Sequence, residues 1–283
     1  MVAYVFPGQG SQVEGMGAGL FDQFKDMTEQ ADSVLGYSIE ELCIKNPNKQ
    51  LSQTQFTQPA LYVVNALSYM KRLYDAGQMP DYVAGHSLGE YNALFAAGVF
   101  DFSSGLRLVQ KRGELMAQVT GGGMAAVIGP SSDKVEQIIS SSGIEGVSIA
   151  NYNAPIQTVI SGSRASIEKL ESIFTEAGAA YIVLNVSGAF HSQWMSAAQK
   201  EFSAFIESFD FHVPAMPVIS NLSAEPYTAS SVKENLLRQI CSPVRWTEII
   251  GYLLSVGEAE IVEIGPGEVL TGLNLKIRQK RIL

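Results

Sequence analysis

Apolar positions along this chain change period repeatedly. Short runs such as AYVFPG (residues 3–8) and YVAGHS (82–87) are nearly continuous, as buried strands are, whereas 16–35 and 58–77 repeat at helical spacing. Alternation of the two patterns marks an α/β architecture. Gln58-Pro59 reads as the start of the second helix, because proline in a first turn forfeits no hydrogen bond. LGEYNALFAAGVF (88–100) then follows its strand directly as a helix.

Residues 120–190 pattern differently. GGGMAAVIG, SDKVEQIISS, GVSIANYN, IQTVISG, RASIEKLESIFTEAG and AAYIVLNVS read in order as strand, helix, strand, strand, helix, strand, the split βαβ or ferredoxin-like arrangement. Glycines 121 to 123 are the expected hinge into it. Beyond it, AFHSQWMSAAQKEFSAFIESF reads as a helix, PVISN as a short strand, KENLLRQICSPVRWTEIIGYLLSVG as helices, and EIVEIGPGEVL as a strand and turn. The expected organisation is a larger domain formed from 1–119 and 191–283, with a subdomain of 120–190 inserted into it.

Composition narrows the classes. The chain has 283 residues, 46% apolar and 17% charged, enough to bury a core without disulfides or metals. No apolar run approaches the roughly 18 residues of a membrane span, and MVAYVFPGQG lacks the charged start of a secretory signal. A cytoplasmic location is expected. Cys43 and Cys241 form no CxxC pair and read as reduced structural thiols, with no metal site implied. A net charge of −9 disfavours nucleic acid and anionic membrane surfaces as partners. The basic groups Lys71-Arg72, Lys111-Arg112 and KIRQKR (276–281) read as solvated, Arg112 excepted; the last is a weak candidate for docking an acidic partner.

The chemistry concentrates at Gly85-His86-Ser87-Leu88-Gly89, a GxSxG placed between strand and helix as in a nucleophile elbow. Ser87 is therefore the candidate nucleophile. The amide of Leu88, at the positive end of the helix, is placed to hold a substrate oxyanion, and the GQG loop after the first strand can add a second donor from Gln9. That loop is no nucleotide motif: GxGxxG would need glycine where Val13 stands. Of three histidines, His86 diverges from its neighbour Ser87 in so sharp a turn, and His212 lies among prolines without polar company. Elimination leaves His191, at the start of a helix on the domain boundary, as the base. Arg112 is suited to a carboxylate, which a planar guanidinium binds bidentately, and a neutral acyl chain would leave it unpaired.

FPGQGSQ, GHSLGEYNAL, the arginine of LVQKRGELM, GAFHS and EIGPGEVLTGL stand in the order and spacing of the malonyl-CoA:acyl-carrier-protein transacylases, and the resemblance covers essentially the whole chain. It implies an α/β-hydrolase-like larger domain with an inserted ferredoxin-like (βαββαβ) subdomain. It also implies malonyl transfer from malonyl-CoA to the phosphopantetheine thiol of an acyl carrier protein, through a malonylated Ser87 with His191 as base. Gln9 and Leu88 would form the oxyanion hole and Arg112 would hold the malonyl carboxylate. By the same resemblance Gln239 matches the position whose backbone carbonyl orients the histidine, Asn153 lies on the subdomain wall near the site, and Phe190 fills the space of a 2-methyl group. No cofactor is implied beyond the substrate, and a monomer is expected. LSQTQFTQPALYVVNALSYMKR and HSLGEYNALFAAGVFDF look most like the discrete acyltransferases of polyketide synthases, with fatty-acid synthesis the alternative. A hydrolase clearing carrier proteins, a docking module without activity and an ordinary esterase are the other readings; Arg112, the joint retention of Ser87, His191 and Arg112, and the lack of a histidine beyond His212 argue against them in turn.

Overall fold

Val2–Phe6 (β1) pairs in parallel with Tyr82–Gly85 (β2), Ala3 opposite Tyr82 and Phe6 opposite Gly85. Both strands therefore end at the same edge, where the His86 amide donates to the Phe6 carbonyl at 2.9 Å. That edge is where open parallel sheets bind ligands. The structure, a computed structural model, describes residues 1–186, 188–257 and 260–281, with only the backbone of Arg281. Ser187, which ends the expected strand segment 179–187, and the last side chain of the basic run 276–281 lie outside the described residues.

Val218–Ile219 and Glu260–Glu263 complete this first sheet, and Gly122–Ile128 (β3), Ser148–Ala154 (β4), Gln157–Ser163 (β5) and Ala180–Val183 (β6) form a second. With the two short strands of the first sheet numbered β7 and β8 in chain order, the sheets run β7-β2-β1-β8, all parallel, and β4-β5-β3-β6, antiparallel. The protein is thus mixed α/β. Period-two alternation along β3 divides its side chains. Ala125 and Val127 pack with Val135, Ile138, Ile167, Leu170 and Phe174 beneath helices Ser132–Ser141 and Arg164–Glu176, whereas Met124 and Ala126 join the large core around the parallel sheet.

Several elements differ from the sequence expectation. The helix read over 58–77 spans Thr54–Ala76, so Pro59 lies inside it, as its sixth residue. Proline there gives up one bond, to the carbonyl four residues back, and the apolar run from Ala60 to Leu67, fully packed, outweighs that loss. The segment 16–35 is two helices, Leu20–Gln23 and Lys25–Leu35, broken at Phe24 with φ −117 and ψ 51. Only Gly121, at φ 80, turns; Gly122 and Gly123 belong to β3. The helix after His191 begins at Ser196, behind a short 3-10 turn over Gln193–Met195. His191 itself has φ 57, a left-handed conformation, and lies ahead of the helix rather than in its first turn.

Candidate active site

The elbow closes tightly because two side chains are missing. A Cβ on Gly85 would overlap the Gly89 carbonyl, and one on Gly89 would overlap the Phe6 carbonyl. Between them Ser87 sits at φ 52, a strained conformation for a residue with a Cβ, and its neighbour Leu88 caps the helix Gly89–Ala96. Hydrogen bonds hold that strain from both sides: the Ser87 amide donates to Asn221 Oδ1 at 2.7 Å, and Gln239 Nε2 donates to the Ser87 carbonyl at 2.8 Å. Asn221 Nδ2 also donates to the Gly85 carbonyl, at 2.6 Å.

His191 Nε2 lies 2.7 Å from Ser87 Oγ. Its Nδ1 faces two carbonyl oxygens, Gln239 at 2.9 Å and Ser242 at 3.1 Å. Carbonyls only accept, so Nδ1 carries the proton and Nε2 presents a lone pair to the hydroxyl. Burial, with a contribution from the Arg112 charge, lowers His191 to about 3, which keeps the imidazole neutral across the physiological range. Among the described residues no carboxylate orients this ring; two main-chain carbonyls do.

His86 stands beside the site with its ring nitrogen engaged away from Ser87. Its Nε2 meets Asn153 Oδ1 at 2.8 Å and its ring packs against Trp246, centroids 5.5 Å apart. Burial lowers its pKa. His212 is exposed.

Arg112 is 1% exposed and not on a solvated face. Its helix, Phe102–Gln118, buries Gly105, Leu108, Val109, Arg112 and Met116, a stripe at helical spacing in which the arginine takes an apolar position. Nη1 donates to Gln58 Oε1 at 2.7 Å; Nη2 donates to Gln239 Oε1 at 2.9 Å and to Ser87 Oγ at 3.2 Å. Nε has no partner. A guanidinium buried among neutral oxygens is costly unless an anion arrives.

These groups line one cavity at the end of β1 and β2. Gln9, Ser87, Leu88, Arg112, Phe190 and His191 all border it, with Met116, Met124, Leu184 and Val186 as apolar wall. Gln239 holds Arg112 by its side-chain oxygen and His191 by its backbone carbonyl. Asn153 is turned to His86; Asn151, two residues earlier on β4, borders the cavity instead. Both cysteines are free and buried. Among the described residues no cluster of His, Cys, Asp or Glu could hold a metal ion, and no helix is long and apolar enough to cross a membrane.

Sequence reasoning missed Gln58, Glu90 and Asn221. Glu90 carried a signal: it is the one charged residue of GEYNALFA, a mostly apolar helix, and acids so placed are buried only with partners. Asn221 follows β7 at its carboxyl end, the edge that carries the site. Gln58 carried none.

A hydroxyl, a neutral imidazole and a buried guanidinium converging on one oxygen define a serine-dependent acyl-transfer centre. The acyl transferase domain family matches residues 3–276, and the chain belongs to that family. It is 55% identical over 281 residues to the polyketide biosynthesis malonyl CoA-acyl carrier protein transacylase PksC of Bacillus subtilis, covering 99% of this chain and 98% of that one. A crystal structure of a malonyl CoA-acyl carrier protein transacylase from Burkholderia pseudomallei superposes with a TM-score of 0.97 at 51% identity, covering 99% of this chain and 98% of the other. A complex of a type II polyketide-synthase acyl-carrier protein with its malonyl-transacylase matches at a TM-score of 0.93 and 36% identity, covering 98% and 93%.

Proposed function

We propose that this chain transfers a malonyl group from malonyl-CoA to the phosphopantetheine thiol of an acyl carrier protein, by a ping-pong route through malonylated Ser87. The observation that carries the reading is Arg112 Nη2 at 3.2 Å from the same Oγ that His191 Nε2 meets at 2.7 Å. One side chain activates the hydroxyl, and the other waits for a carboxylate one acyl length away.

In the first half-reaction Ser87 Oγ attacks the thioester carbonyl and passes its proton to His191 Nε2. The amides of Leu88 and Gln9 hold the oxyanion. The C–S bond then breaks, and coenzyme A leaves as a thiol with the proton from His191. In the second, the carrier's thiol gives its proton to His191 and attacks the ester carbonyl; the C–O bond to Ser87 breaks, Ser87 Oγ recovers the proton, and the malonyl group departs as the carrier's thioester. The apolar wall of Met116, Met124, Leu184 and Val186 supports transfer over hydrolysis, since it offers water no partner. Phe190, 6% exposed at the cavity, supports malonyl over methylmalonyl, a preference of about 1–3 kcal/mol for one methyl group. Asn153 acts through His86, holding the ring that floors the site.

The strand order β4-β5-β3-β6 supports an inserted subdomain of 120–190 on a larger domain of 1–119 and 191–283. The enzyme works as a cytoplasmic monomer without a bound cofactor, in polyketide synthesis; the name of the Bacillus relative supports the pathway. The test is intact-protein mass spectrometry after brief exposure to malonyl-CoA, methylmalonyl-CoA or acetyl-CoA, with Ser87→Ala alongside, then a chase with a carrier protein. A malonyl adduct that needs Ser87 and moves to the carrier is expected. An adduct lost only to water would replace the transferase with a hydrolase.

A further inference from the structure

Glu90 is a fully buried acid outside the reacting groups, and the hydrogen-bond partners of its carboxylate are neutral. Its carboxylate is met by three neutral donors. Oε1 accepts from the Asn221 amide at 2.7 Å and the Tyr227 hydroxyl at 2.8 Å, and Oε2 accepts from Gln239 Nε2 at 2.7 Å. Two of those donors are the residues that grip the Ser87 backbone: Asn221 takes its N–H and Gln239 its carbonyl.

We propose that Glu90 is a positioning residue for malonyl transfer: its carboxylate sets the amide orientation of Gln239, and through Gln239 and Asn221 it holds Arg112 and the strained Ser87 in register. The inference rests on the functional reading above. An amide has two hydrogens and one oxygen, and here both hydrogens of Gln239 are committed, to Glu90 Oε2 and to the Ser87 carbonyl. The oxygen is left to Arg112 Nη2, at 2.9 Å. Reversing the amide would bring Nε2 against the guanidinium, donor to donor, and would leave Glu90 Oε2 without a partner. An acceptor-only group at position 90 therefore dictates where the guanidinium points.

Protonation would undo that dictation, since a carboxylic acid must donate as well as accept. The titratable and charged groups facing Glu90 are Arg112 on the neighbouring helix, Tyr227 after β7, Tyr91 on its own helix and, past Gln239, His191. Burial raises Glu90 to about 7, against the lowering effect of its hydrogen bonds and of Arg112. Above that value the carboxylate holds Gln239 as described; below it the acid form accumulates and the grip on Arg112 loosens.

The test compares Ser87 acylation by malonyl-CoA and by acetyl-CoA in the full chain, by rapid quench and intact mass. Acetyl makes no demand on Arg112, so the ratio of the two rates reads the guanidinium's orientation and cancels a general loss of folded protein. Glu90→Gln, which puts a donor where only acceptors stood, is expected to lower the malonyl-to-acetyl ratio about tenfold or more. In the unmodified chain the ratio should fall as pH is lowered through about 7, and in Glu90→Gln it should be flat. An unchanged ratio in Glu90→Gln would overturn the assignment. Should that variant fail to fold, Glu90→Asp, which keeps an acceptor but shortens its reach to Gln239, is read by the same ratio; a fall is expected, and an unchanged ratio would overturn the assignment. Absence of any malonyl adduct in the unmodified chain would instead overturn the functional reading, and this inference with it.

Discussion

The two walls of the cavity are built from different materials. On the parallel-sheet side Ser87, Glu90, Arg112, Asn221 and Gln239 form one hydrogen-bonded set around the end of β2, and all but Ser87 are buried. On the antiparallel side Met124, Leu184 and Val186 face the cavity, and Ala125, Val127, Ile160, Leu170 and Phe174 pack behind them. Directional bonds fix atoms to fractions of an ångström at the cost of desolvating polar groups; close packing stabilises without aiming anything. The first wall should therefore respond to substitution in its chemistry, and the second in its stability.

The largest contrast is expected at His191, whose replacement by alanine should slow Ser87 acylation by roughly 10²–10⁴-fold while the melting temperature moves little. A fall in both together would make the polar wall structural as well. Phe174, fully buried and stacked on Tyr181 with centroids 5.6 Å apart, supplies the opposite case. Phe174→Ala should lose about 3–5 kcal/mol in denaturant titration, with the acylation rate of the folded fraction retained. If acylation fell as steeply as stability, the antiparallel wall would be aiming groups after all.

Arg112→Ala sharpens the comparison within the polar wall. Malonyl transfer should lose about 2–4 kcal/mol of transition-state binding, and acetyl transfer much less. Equal losses on both substrates would remove the carboxylate from its proposed role. The smallest effect belongs to His86, which bridges the walls through Asn153. His86→Ala should cost within about tenfold in acylation, the loss of one hydrogen bond and some packing. A deeper loss than at His191 would exchange the two histidines' roles. In all of these the pH dependence carries a sign: His191, lowered to about 3, stays neutral, so an acid limb near 7 belongs to Glu90 and should vanish in Glu90→Gln.

Much of this was legible one element at a time. Val83-Ala84 before Gly85 and the apolar helix after Gly89 announced the elbow, because strand and helix periods and the need for glycine at a close approach are local properties. The alternation over 122–183 likewise announced the second sheet, and β3 does divide its faces by twos. Boundaries were less legible. Pro59 looked like a helix start because its missing N–H is harmless there, yet the helix runs through it, tertiary packing outweighing one lost bond. His191 looked like a helix start for want of any local sign that the chain turns left-handed there.

What the sequence determined by itself is which residue types stand on which face of which element: a serine at an elbow, an arginine on an apolar stripe, an acid in an apolar helix. What only the tertiary structure decided is their meeting. Ser87 and His191 are 104 residues apart, and Gln239 reaches back 152 residues to the Ser87 carbonyl. Periodicity relates a side chain to its own element and says nothing of distance to another. Those distances follow from the order β7-β2-β1-β8, which sets Asn221 beside Gly85, and from the left-handed turn at His191, which aims Nε2 at the hydroxyl. Both are settled by long-range packing and pairing of backbone groups, for which no short stretch of residues holds the code.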